Sequence, residues 1–128
     1  MARSNYGDIK MNNIQGKVWG STENIFKKNN VSMHRIEINK GGYCSIHKHR
    51  YKHNAFFVES GKLKIYIWKN DYDLIDTTVV TKLQMTSVAP NEYHKFEALE
   101  DTVAYEIYWS ECEDSDIERK DVGGNSKS

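Results

Sequence analysis

A chain of 128 residues has the length of one domain, so a single core is expected. Lysine plus arginine and aspartate plus glutamate each number 18, which leaves no global field to attract nucleic acid or anionic lipid and argues against both as partners. Only 38% of the residues are hydrophobic, yet 12% are aromatic, enough large apolar surface for a thin core and against disorder throughout.

No stretch reaches the roughly 18 apolar residues of a membrane span, and Met1 to Gly20 lacks the apolar centre of a secretory signal, so a cytoplasmic protein is expected. Cys44 and Cys112 form no C-x-x-C pair and allow one disulfide at most; both read as reduced thiols.

Residues 1–16 are polar and read as an extension or an edge strand, with Tyr6 and Ile9 as its docking residues. Residues 17–121 carry short runs of β type separated by turn residues, with a single proline, Pro90, and no amphipathic helical segment of useful length. The clearest strand is Val31 to Asn39, where His34, Ile36 and Ile38 share one face and Met33, Arg35 and Glu37 the other.

Gly41-Gly42 ends that strand. Tyr43 to Arg50 alternates again, and Ala55 to Glu59 and Lys62 to Trp68 flank Ser60-Gly61, a pair suited to a hairpin turn. Further strands are predicted at Thr77 to Val80, Met85 to Ala89, His94 to Ala98 and Thr102 to Trp109. The glycine, serine, asparagine and lysine of residues 122–128 predict a flexible tail. An all-β chain with this many turns forms a sandwich or a barrel, because each sheet must bury one face.

The histidines favour a barrel around a metal. His47 and His49 are two apart, so on an extended strand both rings leave the same face while Lys48 and Arg50 leave the other. Two imidazoles in an apolar interior cost a few kcal/mol each unless their nitrogens are satisfied, and a shared cation satisfies both. His94 follows the turn Pro90-Asn91-Glu92-Tyr93 into a strand and is the best third ligand. One divalent ion is expected, with zinc, iron, manganese and nickel all compatible with these donors.

Gly41 through Asn54, continued by Phe57 to Gly61, resembles the first cupin motif, and Pro90 to His94 resembles the second. Within the cupins the chain is similar to the C-terminal domain of type II mannose-6-phosphate isomerases. That likeness is carried by Val18 to Glu23, Ser45 to Gly61 and Glu113 to Arg119, and extends from Lys17 to about Asp121. It implies a single cupin barrel (double-stranded β-helix or jelly roll), a homodimer, a small-molecule substrate of the sugar-phosphate kind, and metal ligands at His47, His49, Asn54 and His94.

Three departures from the pattern matter. Asn54 stands where the family usually has glutamate, a loss of one negative charge at the ion, so a three-histidine site with an open position is expected. His53 is an alternative fourth ligand, although neighbours on a strand face opposite sides, which favours a surface position. His34 occupies a position where the family commonly has an inward lysine. The arginine that closes the family motif after tyrosine and glycine has no counterpart in Val122-Gly123-Gly124-Asn125.

An aldose to ketose isomerisation needs a base and a cation that polarises the carbonyl. Glu106 is the candidate base, and His34 is either a substrate contact or a hydrogen-bonded core histidine. Ala104, Glu106 and Tyr108 share a face opposite Val103, Tyr105, Ile107 and Trp109. The second set suits a barrel interior better, which would leave Glu106 solvated. Lys40, Lys48, Arg50 and Lys52 form a basic cluster that reads as a solvated face or, for one member, as a contact to an anionic substrate. Two further functions fit a three-histidine site: an iron-dependent dioxygenase, and a barrel that binds metal or sugar without turnover.

Overall fold

A computed structural model describes residues 13–69, 74–110 and 117–127. Tyr6, Ile9, Cys112 and the Glu113 to Asp116 part of the motif lie outside them. Thirteen strands and no helix occur among the described residues. They are β1 (Ile14–Lys17), β2 (Gly20–Lys28), β3 (Val31–Ile38), β4 (Gly42–Tyr43), β5 (His47–Lys48), β6 (His53–Ser60), β7 (Lys62–Lys69), β8 (Leu74–Thr81), β9 (Met85–Val88), β10 (Tyr93–Ala98), β11 (Thr102–Trp109), β12 (Glu118–Arg119) and β13 (Gly124–Asn125). No helix of the described residues is long and apolar enough to cross a membrane.

One sheet runs in the order β1-β2-β3-β11-β6-β9, with β1 at its edge. In the other, β10 lies at the centre, with β5 and β4 along one side and β7, which leads on to β8, along the other. The short strands β12 and β13 extend this sheet through β5 and β4. All pairings are antiparallel, so both sheets show the in-and-out alternation of such strands.

The core lies between the sheets. Ile36 and Ile38 of β3, Phe56 and Val58 of β6, and Ala104 of β11 meet Leu63 and Ile65 of β7 and Phe96 of β10, each 2% exposed or less. Trp19 closes one end, edge-on to Phe96 at 5.0 Å between ring centroids. Each large apolar side chain buried there contributes about 2 kcal/mol, which is how a modest apolar fraction sustains the fold.

Two expectations are corrected here. Tyr43 to Arg50 is not one strand but β4 and β5 with an irregular step between them. At that step the backbone finds other partners: the Cys44 amide donates to the Phe96 carbonyl at 3.2 Å, and the Ile46 amide to the Asp121 carboxylate at 2.6 Å. Ser60-Gly61 is not a hairpin turn either, because β6 pairs with β11 and β9 whereas β7 pairs with β10 and β8. The chain crosses from one sheet to the other at Gly61. A side chain is excluded there, since φ is +100° and a Cβ would lie 2.4 Å from the Asp101 carbonyl oxygen.

Residues 123–127, within the stretch whose composition suggests a tail, are held along β4. Gly124 pairs with Tyr43, and the Ser126 amide donates to the Gly41 carbonyl at 2.8 Å.

Candidate metal centre

The inward faces change character at one level of the barrel. Along β3 the order is Ile38, Ile36, His34; along β6, Val58, Phe56, Asn54; along β10, Ala98, Phe96, His94; along β11, Thr102, Ala104, Glu106, Tyr108. The register lines up the polar ends, with Glu106 opposite His34, Tyr108 opposite Asn54, and His94 opposite His47. An apolar floor thus carries a polar chamber, a cavity of about 440 Å³.

His47, His49 and His94 converge in it as predicted. Their ring centroids lie 4.5 to 5.5 Å apart, and one nitrogen from each falls within 4.8 Å of the others. They are 6%, 5% and 1% exposed. The tautomers of two rings follow from their neighbours. His47 Nδ1 lies 2.7 Å from the Ser45 carbonyl oxygen and His94 Nδ1 2.9 Å from the Glu92 carbonyl oxygen. A carbonyl can only accept, so each Nδ1 carries the proton and donates it.

Burial, reinforced by the charges that His94 and His49 would carry, lowers the His47 pKa to about 2; burial also lowers that of His94. Both rings are therefore neutral, with the Nε2 lone pair available. His94 Nε2 is buried and has no hydrogen-bond partner. A cation would supply the partner that His94 Nε2 lacks, and backbone carbonyls behind the rings are the usual orienting shell of metal-bound histidine. The residues fit a divalent ion. Cys44 also lines the cavity, but burial raises its thiol pKa and its sulfur accepts a hydrogen bond from the Phe96 amide, so it is a poor ligand.

Asn54 is 1% exposed; its Oδ1 has no hydrogen-bond partner and its Nδ2 donates to Glu106 Oε2 at 3.4 Å. His53 points the other way, half-buried, and stacks on Trp109 with centroids 5.0 Å apart. The surface position favoured for it over ligation agrees with that geometry.

The expectation that the Val103, Ile107 and Trp109 face is inward is overturned. Glu106 is 8% exposed and lines the cavity, while Val103, Ile107 and Trp109 are half-buried on the outer face. Register with His34 decides the matter: the only way to bury Ile36 and Ala104 together is to turn Glu106 inward. Tyr108 OH donates to Glu106 Oε2 at 2.7 Å, and burial beside Glu106 pushes the phenol pKa well above its ordinary value. The Tyr108 ring lies edge-on to His49 at 5.3 Å and to His34 at 5.6 Å. His34 lines the cavity, half-buried.

Of the basic cluster, Lys52 alone enters the cavity, 6% exposed and with Nζ 4.4 Å from the Tyr108 ring centroid. Lys48 and Arg50 face outward to Glu118, and Lys40 lies in a separate groove with Asp101. Tyr108 and Arg119 are site residues to which no role attaches from sequence, and Lys52 is not singled out there from its basic cluster. Tyr108 was within reach of sequence reasoning, since it shares a face with Glu106 two residues on.

Two antiparallel sheets closed around a histidine cluster define a cupin-fold barrel, and the chain has that fold. The capsular polysaccharide assembling protein CapF of Staphylococcus aureus superposes with a TM-score of 0.78 at 23% identity, over 93% of this chain and 34% of that one. Oxalate decarboxylase of Lactobacillus farciminis, as a formate complex, gives 0.73 at 10%, over 85% and 34%. The Streptomyces nucleoside dehydratase Pac13 gives 0.72 at 9%, over 87% and 86%. The chain spans about a third of the length of the CapF chains it matches. No protein-family model and no curated protein matches the sequence.

Proposed function

We propose that this chain is a metal-dependent barrel enzyme that moves a proton beside a carbonyl of a small polyhydroxy molecule, as a sugar isomerase does. The observation that carries this reading is the placement of a buried carboxylate, Glu106, in the same cavity as three neutral, converging imidazoles. His47, His49 and His94, with Asn54 Oδ1 as a fourth donor, would hold a divalent ion, and that ion would supply positive charge beside the substrate carbonyl.

The remaining steps belong to the chain. Tyr108 and Asn54 both donate to Glu106 Oε2, which fixes the carboxylate and leaves Oε1 to take the proton from the carbon beside the carbonyl. Glu106 then returns that proton to the former carbonyl carbon. His34, directly across from Glu106 in the register, carries the hydroxyl proton from one oxygen to the other, so that aldose and ketose differ by the two transfers. The family likeness adds a homodimer, which a light-scattering mass near 14.9 kDa would exclude.

The test is conversion of mannose 6-phosphate to fructose 6-phosphate, with solvent deuterium entering at the reacting carbon. Glu106→Gln is expected to slow that exchange about 100-fold or more while metal content stays level. Metal-loaded protein that converts neither sugar phosphate and exchanges no carbon-bound proton would overturn the reading. The neutral ligand set, with Asn54 in place of a carboxylate, favours a second function, oxygen chemistry at iron(II). Oxygen uptake with thiols or diketones, absent with zinc, is its signature.

A further inference from the structure

The polar row that crosses the first sheet does not end at His34. Glu106 of β11 pairs with His34 of β3, and His34 pairs in turn with Asn24 of β2, so three polar side chains stand in line across neighbouring strands. Thr22, two residues earlier on β2, leaves the same face, and Gln15 of β1 pairs with it. Gln15, Thr22 and Asn24 all line the cavity, Thr22 and Asn24 half-buried and Gln15 exposed at the rim. At the metal end the polar groups are engaged: Tyr108 and Asn54 hold Glu106, and carbonyls hold His47 and His94. On this wall they are not, since the side chains of Gln15, Thr22 and Asn24 make no hydrogen bond to a described residue. The register of β2 also breaks here. Asn24 pairs with His34 but Phe26 with Met33, so Ile25 is a residue in excess. Without that bulge, alternation would aim Phe26 into the cavity beside Asn24; with it, Phe26 turns to the outer face and is 48% exposed. The extra residue keeps a large apolar ring out of a polar wall.

We propose that this wall sets specificity by reading hydroxyl groups: Asn24 and Thr22 bond two adjacent hydroxyls at the end of the substrate away from the metal centre, and Gln15 adds a contact at the rim. The assignment rests on the functional reading above, which puts the reacting carbons between the histidines and Glu106. The dimensions agree, because Asn24 and Glu106 stand two strand spacings apart, about 10 Å from backbone to backbone, the span of one sugar with its substituents. A carboxamide suits neighbouring hydroxyls, since its oxygen accepts from one while its nitrogen donates to the other, and a threonine hydroxyl does either. A ligand lacking one of those hydroxyls leaves its partner on the wall unpaired, and that loss is what discriminates.

Magnetic resonance of the isotope-labelled, zinc-loaded full chain tests this, because side-chain carboxamide protons are observed directly. Titration with mannose 6-phosphate is expected to shift the carboxamide signals of Asn24, and the 3-deoxy or the 4-deoxy analogue to bind about tenfold more weakly. Asn24→Ala and Thr22→Val should each weaken mannose 6-phosphate about tenfold with zinc content level. In at least one of these variants the weaker deoxy analogue should bind as tightly as mannose 6-phosphate itself, since the hydroxyl it lacks no longer has a partner. Thr22→Val preserves the shape of the side chain and keeps the test decisive if Asn24→Ala does not fold.

Carboxamide signals that stay in place while the sugar phosphate binds, or deoxy analogues that bind the unaltered chain as well as mannose 6-phosphate does, would overturn the wall and leave the metal enzyme standing. Signals that move in a protein that exchanges no carbon-bound proton would support the wall and count against the enzyme. No binding up to about 50 mM sugar phosphate would overturn the wall as well.

Discussion

At the scale of single residues, the centre depends on which nitrogen of each imidazole is protonated, and the chain settles this with backbone oxygens. His47 and His94 both spend Nδ1 on a carbonyl two residues earlier in the sequence, Ser45 and Glu92. The ring is turned by its own local chain, and its second nitrogen is presented inward before any ion arrives. Such pre-orientation reduces what binding must order. Freshly purified protein is therefore expected to carry about one divalent ion per chain, read by elemental analysis, and the double variant His47→Ala, His49→Ala to carry about tenfold less or none. An unchanged metal content in that variant would end the assignment of the centre. Those two histidines are legible from sequence because a spacing of two on a strand places rings side by side whatever the register. Lys52 and Arg119 are less legible, because each meets its partner only through the fold, Arg119 reaching Ser45 74 positions away and Lys52 lying over the Tyr108 ring.

At the scale of elements, most of the long strands are legible, although β2 is not and Tyr43 to Arg50 divides into β4 and β5, while strand partnership is not legible at all. Alternation predicted Thr102–Trp109 with the bounds that β11 has, but left open which face is inward. Valine, isoleucine and tryptophan suggested one answer, and pairing with β3 and β6 imposed the other, since Ala104 must sit beside Ile36 and Val58 in the core. The Ser60-Gly61 step shows the same gap. A serine-glycine pair between two β runs signals a reversal, yet the antiparallel partner of each run lies elsewhere, and Gly61 marks the crossing that separates the sheets and creates the space between them. Gly61→Ala is expected to destabilise the protein by about 2 kcal/mol, because it adds a left-handed backbone penalty to a clash with Asp101 and Thr102. Urea unfolding reads this as a lower midpoint at constant m-value. A midpoint equal to wild type would mean that the crossing does not need glycine.

At the scale of the whole molecule, the same burial that prepares the site for a cation makes the fold sensitive to acid. In the folded chain the His47 pKa is lowered to about 2 and that of His94 is also lowered, while in the unfolded chain both return to about 6.5. Above pH about 6.5 both states are unprotonated at these rings and pH has no leverage. Below it the unfolded chain takes up protons that the folded chain refuses, so stability falls as pH falls. The slope is up to about 1.4 kcal/mol per ring for each pH unit, from about 6.5 towards the folded-state values. A bound ion steepens the fall, since it requires the same neutral nitrogens and is released as they are protonated. Chelator-treated protein should therefore show a melting temperature that is level from about pH 8 to 7 and declines from about 6.5 to 5.5, ahead of the range in which carboxylates titrate. Zinc should raise the plateau by mass action. In His47→Ala the decline should be shallower than in the parent chain, because one of the rings that refuses the proton is gone. A decline of equal slope in that variant would assign the acid sensitivity to other groups and would remove the physical link between the buried imidazoles and the stability of the barrel.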